Sequence, residues 1–580
     1  MSTKKIRQMA HGILETLTIQ DVLEAINKHY GEATALQIEE KDGSFRKLSY
    51  VGLGRKAVDI SSALIKFGLQ KGDRVAVFSE SRPEWAAVFF AVVSCGGIVV
   101  PLDVKLSPAE IAFILNDSGA RFVFVSAKLA DIMAGCRGSC PSVEKVIGLD
   151  GREPPCDAAL GDFAHAQGEQ KYNPIYPDDE AMIVYTSGTT GTAKGVVLTY
   201  RSLLFEVVRL NGYIHFSSRD RFVSILPLNH MLEITGGLIA PLYAGATITY
   251  CDSIKPANIL GLMQETRATS MVCVPLVLKM FHEAILKKAQ KAPPFRRRLF
   301  FFFLGLSRWL ARFGVRPGRL LFRGVHRAFG GRLRCFISGG APLDPYVEED
   351  FWAMGFNVLQ GYGLTETSPV ITVNTFRETK FASVGIPLEG VEVRILPREG
   401  VPQGEGEIVV RGPNVMRGYY KQPEKTQEVL RDGWFYTGDI GRLDKDGFLY
   451  VTGRIKSMIV LGAGKKVFPE EIEEVMGKSP LIKEICVVGR QATSGLKAGT
   501  EEVCAAIVPN EERFMDHERK DASLMKARLK AEIGRLSANL AEYKRISDFI
   551  VVSGELPKTT TRKIKRALVK DLIVSGPSET

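Results

Sequence analysis

Short apolar runs alternate with longer amphipathic runs along the first 180 residues of the chain. Residues 74–78 and 121–125 are strand-like, whereas residues 53–67 carry apolar side chains at helical spacing. This alternation is typical of an α/β fold with mostly parallel strands. It continues from residue 196 to residue 375, where buried strands are predicted at 221–226, 246–250, 270–274 and 334–338.

The pattern changes between residues 380 and 452, where short strand-like segments are separated by turns rich in Gly, Pro and Asp. Such a region is typical of a small β-barrel. Helices are predicted again at 469–476 and 522–541. We therefore predict an α/β protein. A large N-terminal domain, residues 1–453, comprises two α/β lobes plus a small β-barrel, and a small mobile α/β C-terminal domain, residues 454–580, follows.

Two uncharged stretches, residues 85–102 and 234–251, are each about the minimum length of a helix that spans a bilayer. Adjacent glycines interrupt both stretches, and each stretch ends in a strand-like run. We therefore expect buried helix–turn–strand units rather than membrane spans. The early positive charges of the chain are not followed by an apolar run, so no secretory signal peptide is expected.

The composition is that of an ordinary globular protein, with 45% hydrophobic and 24% charged residues. At 580 residues the chain is too long for one hydrophobic core, which predicts two or more domains. The nine cysteines are scattered and form no C-x2-C pair. This spacing argues against a disulfide framework or a zinc site and favours a cytoplasmic location.

The net charge of +11 is concentrated in one segment of the chain. Residues 279–334 contain 15 Lys and Arg against one acid, a charge of +14, so the rest of the chain sums to −3. Arginines recur there at helical spacing, and Pro317 is expected to divide the segment into two helices. The periodic arginines are Arg308, Arg312, Arg316, Arg319, Arg323 and Arg327.

Aromatic and aliphatic side chains alternate with these arginines. A basic, aromatic-rich amphipathic element is suited to an anionic membrane surface. The segment therefore predicts peripheral membrane association through residues 296–327, on the inner face of a membrane. The alternative is a solvated arginine face over a packed core. No nucleic-acid-binding motif is present, and no nucleic-acid partner is expected.

The segment from Tyr185 to Gly195 packs five Ser/Thr hydroxyls, three glycines and one lysine between two predicted strands. Such a loop offers backbone N–H groups, hydroxyls and a positive charge to a polyphosphate. It lacks the spacing of a Walker A motif. A plain surface loop is the alternative. The candidate phosphate-binding residues are Thr186, Ser187, Gly188, Thr189, Thr190 and Lys194.

Two later segments offer groups for a nucleotide. In residues 360–367, Tyr362 presents an aromatic face, Thr365 a hydroxyl for a phosphate, and Glu366 a carboxylate for Mg²⁺, which prefers oxygen ligands. In residues 338–342, glycines after a predicted strand let the backbone lie close to a flat ligand.

A third candidate pair flanks the last predicted hairpin of the barrel-like region. Asp439 has a carboxylate that can accept two hydrogen bonds from a cis-diol, and Arg454 can add a donor to the same sugar. The pair therefore suits the ribose of a nucleotide.

These segments, in this order, resemble the adenylate-forming superfamily, which comprises acyl-CoA synthetases, luciferases and peptide-synthetase adenylation domains. The resemblance covers roughly residues 20–570, and residues 226–233 look most like long-chain fatty acyl-CoA synthetases. It implies ATP, Mg²⁺ and coenzyme A as cofactors, with a small-molecule carboxylic acid as substrate. It assigns adenine binding to Gly339, Gly340, Ala341, Tyr362 and Gly363. It also places His230 at the acyl pocket as a catalytic candidate that contacts the carboxylate or gates the pocket, and a histidine of the packed core is the alternative.

Near the C-terminus, residues 556–564 resemble the closing catalytic motif of this superfamily, and its lysine maps to Lys563. An ammonium group that bridges a carboxylate and the α-phosphate of ATP would stabilise the transition state of adenylation. The chain departs from the pattern at Arg562, where the family usually has glycine. An arginine cannot adopt a positive φ cheaply, and it brings a second charge towards the phosphates.

A second departure lies in Gly462, Ala463 and Gly464, which match the thiol tunnel of the family. The family usually has glycine where Ala463 stands, so the acceptor could differ from coenzyme A. The resemblance also implies a hinge at Lys456, about which the C-terminal domain rotates between two half-reactions.

The resemblance predicts an AMP-forming ligase that joins a long-chain fatty acid to coenzyme A. One alternative keeps adenylation but uses an aryl or medium-chain acid, or an acyl-carrier protein as acceptor. Another is a membrane-bound acyl-nucleotide binder without catalysis, which Arg562 and Ala463 would favour and Lys563 would not.

Overall fold

The computed structural model describes residues 18–163, 174–186, 193–311, 313, 315–461, 466–491, 501–538, 540–559 and 564–575. The chain divides into two units. The first comprises Met1–Glu392 and Arg411–Phe435, and the second comprises Val393–Val410 and Tyr436–Thr580.

The strands of the described residues are short and mostly buried in the first unit. They are β1 Thr34–Glu39, β2 Phe45–Ser49, β3 Arg74–Phe78, β4 Ile98–Pro101, β5 Phe122–Val125, β6 Lys145–Gly148, β7 Ala158–Ala159, β8 Glu180–Thr186, β9 Lys194–Thr199, β10 Arg221–Ser224, β11 Thr247–Tyr250, β12 Ser270–Cys273, β13 Cys335–Ser338, β14 Asn357–Tyr362, β15 Thr372–Val373, β16 Ile386–Pro387, β17 Glu392–Pro397, β18 Gly406–Arg411, β19 Gly418–Tyr419, β20 Leu430–Arg431, β21 Trp434–Leu443, β22 Leu449–Arg454, β23 Ile459–Val460, β24 Lys466–Val467, β25 Ile482–Gln491, β26 Glu501–Pro509 and β27 Asp548–Val551.

The α-helices alternate with these strands. They are α1 Ile19–Tyr30, α2 Tyr50–Lys66, α3 Pro83–Ser94, α4 Pro108–Ser118, α5 Ala130–Arg137, α6 Tyr200–Ile214, α7 Ala240–Tyr243, α8 Pro256–Thr266, α9 Pro275–Gln290, α10 Pro294–Ala311, α11 Gly318–Leu321, α12 Arg323–Ala328, α13 Pro345–Ala353, α14 Pro423–Val429, α15 Pro469–Met476, α16 Asp516–Lys520, α17 Ala522–Ser537 and α18 Arg566–Ser575.

Several helices begin where the sequence supplies a cap. Ser107 begins α4 with a capping box, because its hydroxyl accepts the Glu110 N–H while the Glu110 carboxylate accepts the Ser107 N–H at 2.8 Å. Many helices also carry proline in the first turn, where the missing N–H costs no intrahelical hydrogen bond.

The first unit contains two large sheets. The nine-stranded sheet has the order β16-β15-β14-β13-β12-β10-β11-β1-β2, and the eight-stranded sheet has the order β19-β9-β8-β4-β3-β5-β6-β7. Central strands pair in parallel, as β13 does with β12 and β14, and helices connect them. Apolar side chains of the second sheet, such as Phe78 and Ile183, form a core with α4 and α5. The predicted α/β class is therefore confirmed.

The second unit is built on smaller sheets. Strands β17, β18, β21 and β22 are neighbours in that order in one sheet, which lies where the barrel-like pattern was predicted. Strand β20, which also pairs with β21, belongs to the first unit. The sheet β25-β26-β27 packs against α15 and α17 through a core that includes Val487, Ile507 and Leu529. This unit is also α/β.

The two uncharged stretches form the predicted buried units. In the first, α3 is followed by β4, and every residue of both elements is buried. In the second, a π-helix, Leu232–Ile239, leads into α7 and β11. Among the described residues, no helix has both the length and the apolar character that crossing a membrane requires.

The basic segment differs from the prediction of two helices. The part that carries the periodic arginines forms three: α10 ends at Ala311, and α11 and α12 follow Pro317. Helix α10 ends six residues before Pro317, and Phe322, with a φ of −106° and a ψ of 35°, separates α11 from α12, so the arginine periodicity does not continue through one helix. Arg308 lies on α10, Arg319 on α11 and Arg323 on α12, while Arg312 lies outside the described residues.

Candidate active site

The predicted phosphate loop begins and ends on paired strands. Strands β8 and β9 are antiparallel, and Thr186 faces Lys194 at the end of the ladder. The loop is therefore held at both ends by adjacent strands of the eight-stranded sheet. Ser187, Gly188, Thr189 and Thr190 lie outside the described residues, so their proposed contacts with phosphate stay a prediction.

The second candidate segment forms a tight turn at the end of β14. Tyr362 ends the strand, and Thr365–Thr367 forms one turn of 3-10 helix. A Cβ on Gly363 would lie 1.9 Å from the Pro369 carbonyl oxygen, so only glycine fits there. The side chains of Tyr362, Thr365 and Glu366 remain half-buried, accessible to a ligand.

One tyrosine brings the two candidate segments together. The Tyr419 hydroxyl donates a hydrogen bond of 2.9 Å to Glu366 Oε1, and the Lys194 ammonium lies 4.9 Å from the centre of the Tyr419 ring. Burial, together with the Glu366 carboxylate, raises the pKa of Tyr419 far above its usual range, so the hydroxyl keeps its proton. Lys194, Tyr419 and Glu366 therefore form a continuous line of contacts.

Strand pairing fixes the position of Tyr419. Strand β19 pairs antiparallel with β9, so that Tyr419 faces Val196, and the neighbouring Tyr420 N–H donates to the Gly195 carbonyl at 2.7 Å. Tyr419 was not among the predicted site residues. It lies 53 residues from Glu366 in the chain, and a contact of that separation leaves no periodic signal in the sequence.

Three buried polar side chains form hydrogen bonds with the backbone of the turn. Asn414 Nδ2 donates to the carbonyls of Thr367, at 3.4 Å, and Val370, at 2.8 Å. Thr235 Oγ1 donates to the Ser368 carbonyl at 3.0 Å, and Glu206 Oε1 accepts the Val370 N–H at 3.2 Å. Each side chain is buried.

These supports were also missed by the sequence analysis. Irregular backbone that is buried must find hydrogen-bond partners, and here they come from three separate parts of the chain: Glu206 on α6, Thr235 on the π-helix and Asn414 in a loop. Isolated Glu, Thr and Asn residues of this kind carry no pattern that distinguishes them from surface residues.

The predicted adenine segment lies beside the same turn. Gly339 and Gly340 directly follow β13, the neighbour of β14, and Ala341 comes next. A Cβ on Gly339 would lie 3.3 Å from the Leu232 side chain and 3.5 Å from the Gly361 carbonyl. The structure therefore brings the glycines of this segment close to the end of β14.

His230 lies just before the π-helix and is half-buried. Burial lowers the pKa of His230, and the nearby Asp103 carboxylate opposes this shift. Three residues later, the Glu233 carboxyl is fully buried and accepts the Ser224 hydroxyl at 2.5 Å. Burial raises the pKa of Glu233 to about 8, so this side chain is neutral at pH 7.

The carboxyl of Glu233 needs the space that Gly237 leaves free. A Cβ on Gly237 would lie 2.4 Å from the Glu233 carboxyl carbon. π-helical turns are rare and frequently occur at functional sites. This one begins at the end of residues 226–233, the segment that resembles the acyl pocket.

The second unit contains the predicted ribose-binding pair. Asp439 on β21 faces Arg454 on β22, and Arg454 Nε lies 2.8 Å from Asp439 Oδ1. Asp439 is buried, while the Arg454 side chain is 42% exposed. The prediction that these two residues act together agrees with their ion pair, although their contact with ribose stays a prediction.

The C-terminal motif is held at both of its ends. Lys558 Nζ donates to Glu484 Oε1 at 2.6 Å, and Lys558 pairs with Ile564 as an isolated antiparallel bridge. Arg566 Nη1 donates to Glu473 Oε1 at 2.5 Å. The residues between, including Arg562 and Lys563, lie outside the described residues.

Gly462, Ala463 and Gly464, the predicted thiol tunnel, also lie outside the described residues. Lys456, the predicted hinge, is exposed within a short 3-10 helix, Ile455–Ser457. Both assignments stay predictions.

No cluster of three or more His, Cys, Asp or Glu side chains suited to a metal occurs in the described part of the chain. Glu366 is a single carboxylate whose Oε1 is engaged by Tyr419, and Oε2 accepts no hydrogen bond from the described residues. This arrangement fits Mg²⁺, which is commonly held by one or two carboxylates together with substrate phosphates.

Family comparisons cover most of the chain. A family model described as AMP-binding enzyme matches residues 23–420, and one described as AMP-binding enzyme C-terminal domain matches residues 471–563.

Curated relatives and solved structures agree with this match. A long-chain-fatty-acid–CoA ligase of Mycobacterium bovis is 31% identical over 549 residues, which are 88% of each chain. A feruloyl-CoA synthase of Amycolatopsis is 29% identical over 528 residues, which are 90% of this chain and 93% of the synthase. The crystal structure of an anthranilate CoA ligase superposes with a TM-score of 0.78 at 22% identity, covering 97% of this chain and 99% of that one, which shows a shared fold.

The support of the turn can be tested by an Asn414→Ala substitution. It leaves the buried carbonyls of Thr367 and Val370 without their donor, which should destabilise the protein by about 1–3 kcal/mol. Urea denaturation followed by circular dichroism measures this change. The matched control is Asn116→Ala, which removes a hydrogen bond on an exposed side chain and should cost less than about 0.5 kcal/mol. Equal stabilities of the two variants would contradict the supporting role.

Proposed function

Since the chain belongs to the family of AMP-binding enzymes, we propose that it activates a long-chain fatty acid with ATP and transfers the acyl group to coenzyme A. In the first half-reaction, a carboxylate oxygen attacks the α-phosphorus of ATP, and pyrophosphate leaves. In the second, the thiolate of coenzyme A attacks the acyl carbonyl, and AMP leaves. The enzyme is thus an AMP-forming acid–thiol ligase.

The contact line from Lys194 through Tyr419 to Glu366 carries this proposal. It places the lysine of a phosphate-type loop beside the Thr365–Glu366 turn, so one bound triphosphate could contact both. Tyr362 would stack on adenine, and the Thr365 hydroxyl would donate to the α-phosphate. Gly339, Gly340 and Ala341 would line the adenine through their backbone.

Bound Mg²⁺ would be held by Glu366 and phosphate oxygens and would neutralise phosphate charge. The role of this chain is to aim the carboxylate. Tyr419 holds Glu366 Oε1, which leaves Oε2 available to a cation, and the protonated phenol would not compete with the carboxylate for the metal.

Asp439 and Arg454 are the proposed ligands of ribose hydroxyls, since a buried carboxylate with an arginine partner can accept from a cis-diol while the arginine donates to it. Lys563 is the proposed catalytic lysine, because adenylation brings two anions together. The proposed N-terminal domain comprises residues 1–453, and the proposed C-terminal domain comprises residues 454–580. The C-terminal domain would rotate about Lys456, and Gly462–Gly464 would lie beside the thiol of coenzyme A.

The acyl chain is proposed to bind along residues 226–239. Leu226, Leu228 and Met231 are buried apolar side chains there, and neutral Glu233 adds no charge at pH 7. The likeness to a long-chain ligase supports a fatty acid. The similar likeness to a feruloyl-CoA synthase favours an aryl acid as the second candidate.

A panel of acids tests the substrate. AMP release with palmitate should exceed release with octanoate or ferulate by about tenfold or more, because several methylenes contribute binding energy. Liquid chromatography of AMP, with and without coenzyme A, gives the measurement. Without the thiol, AMP should not be released, because it remains part of the enzyme-bound acyl-adenylate, and pyrophosphate release should stop near one per enzyme. If ferulate is the best substrate, the fatty-acid assignment is wrong and the aryl-acid candidate is supported.

The catalytic lysine is tested by Lys563→Ala. This variant should lose the first half-reaction by about 10²-fold or more, since it lacks the charge that bridges both reactants. It should still convert a supplied palmitoyl-adenylate to palmitoyl-CoA. Pyrophosphate exchange and thioester formation are measured separately, with the exposed Lys565→Ala as matched control. Retained pyrophosphate exchange in Lys563→Ala would remove this assignment.

Peripheral contact with an anionic membrane is a further part of the proposal. Helix α10 buries Leu304 and Ser307, and Arg308 forms an ion pair with Asp350. Its outer side exposes large apolar side chains, with Phe302 62% and Trp309 54% accessible. An exposed aromatic surface on a strongly basic segment is suited to lie in the interface of anionic lipids.

Vesicle co-sedimentation tests this contact. The protein should bind vesicles with 30% phosphatidylserine at about 50 mM salt and be largely released at about 500 mM, because the charges are then screened. Phe302→Ser/Trp309→Ser should bind at least about fivefold less. The control Leu524→Ser/Val574→Ser alters equally exposed side chains elsewhere. Unchanged binding by the α10 variant would refute the contact.

A further inference from the structure

Two cavities in the basic segment share Arg319 in their walls. The first has a volume of about 430 Å³ and the second about 420 Å³, sizes that suit a small ligand. The first is lined by Arg319, Leu320, Arg323, His326, Arg327 and Gly331. The second is lined by His215, Ser217, Arg219, Asp220, Thr269, Arg319, Arg332 and Arg334. We call the two together the arginine cleft.

The cleft is strongly positive. Six arginines line it against a single acid, Asp220, which gives a formal charge of +5. Asp220 is already saturated, because Arg334 Nη1 lies 2.6 Å and 2.7 Å from its two oxygens and Thr269 donates to it at 2.8 Å.

The remaining five arginines form no ion pair with any residue that the structure describes. They are Arg219, Arg319, Arg323, Arg327 and Arg332, and all five are exposed. Mutual repulsion among unpaired guanidinium groups costs free energy, which a bound anion would relieve.

The cleft lies at the opposite edge of the sheet from the nucleotide segments. Asp220, Thr269 and Arg334 directly precede β10, β12 and β13, which are parallel. The glycines of the adenine segment directly follow β13. Since β13 has four residues, the two edges are about 13 Å apart along the strand. A ligand in the cleft would therefore not occupy the nucleotide site.

The backbone that carries Arg319 is held firmly. A Cβ on Gly318 would lie 2.2 Å from the Ala353 carbonyl oxygen, and a Cβ on Gly355 would lie 2.3 Å from the Arg319 nitrogen. His326 stacks on Phe356 with ring centres 4.0 Å apart, and its Nε2 lies 2.9 Å from the Met354 carbonyl oxygen. Helices α11 and α12 are thus fixed on the turn after α13, which positions their arginines before any ligand binds.

We propose that the arginine cleft binds a polyphosphorylated ligand, either a free molecule or the headgroup of a lipid. Guanidinium groups bind phosphate with two parallel hydrogen bonds, and the five unpaired arginines exceed what one phosphate can engage. Several phosphates on one compact scaffold match both the charge and the volume. This site is separate from the proposed ligase activity and does not depend on it.

The proposal is tested by isothermal titration calorimetry of the full chain with inositol hexakisphosphate. An excess of AMP, which carries a single phosphate, keeps the probe out of the nucleotide site. The expected result is one bound probe with affinity that falls steeply with salt. Arg323→Gln/Arg327→Gln should weaken binding about tenfold or more, as should Arg319→Gln/Arg332→Gln. The matched control, Arg55→Gln/Lys56→Gln, changes two exposed positive residues of α2 and should bind like the wild type.

Vesicle arms distinguish the source of the phosphates. Vesicles that contain a phosphatidylinositol bisphosphate are compared with phosphatidylserine vesicles of equal total charge. Preference for the first, lost in Arg323→Gln/Arg327→Gln, assigns the cleft to a lipid headgroup. Binding of the soluble probe without that preference assigns it to a free ligand. Absence of binding in both arms, or equal losses in the cleft variants and the control, would overturn the proposal.

Discussion

The buried backbone of residues 367–370 must have its carbonyl groups satisfied, and the geometry of the nucleotide segments depends on this requirement. The turn is irregular, so a regular ladder cannot supply the partners. Asn414 and Thr235 donate the hydrogen bonds instead, and Gly363 permits the close approach of Pro369. Because these supports come from α6, the π-helix and a loop that are far apart in the chain, the geometry of the turn depends on how the first unit is packed.

Strand β19 connects this turn to β9, the strand that follows the phosphate loop. Its pairing with β9 places Tyr419 between a lysine of one sheet and a carboxylate at the end of the other. The tyrosine therefore does two things with one side chain: its ring faces the Lys194 ammonium, and its hydroxyl orients Glu366. In the proposed function both groups contact one triphosphate, and a rigid aromatic side chain would hold them in place with little loss of conformational entropy.

Periodic features were predictable from the sequence, whereas single long-range contacts were not. Strand Arg74–Phe78 and helix Pro469–Met476 have the bounds that the apolar pattern predicted. Burial of an element requires apolar residues at regular positions, and that regularity is visible in the sequence. The resemblance of the motifs to the AMP-binding family is confirmed by the match over residues 23–420. By contrast, Thr235 and Ser368 are 133 residues apart, and such a side-chain-to-backbone bond has no local signature. The arginines do recur at helical spacing, yet they are divided among three helices, because α10 ends at Ala311 and α11 ends at Leu321.

Strand β13 has a consequence for how this chain can vary. Its four residues separate the arginine cleft, which Arg334 lines at one end, from the proposed adenine segment, which begins with Gly339 at the other end. Successive side chains of a strand point to opposite faces, so inserting or deleting one residue would turn every following side chain to the wrong layer. Substitutions can therefore change the residues at either end of β13, whereas a change in the length of the strand would disturb its packing. The distance between the two ends is thus constrained by the fold.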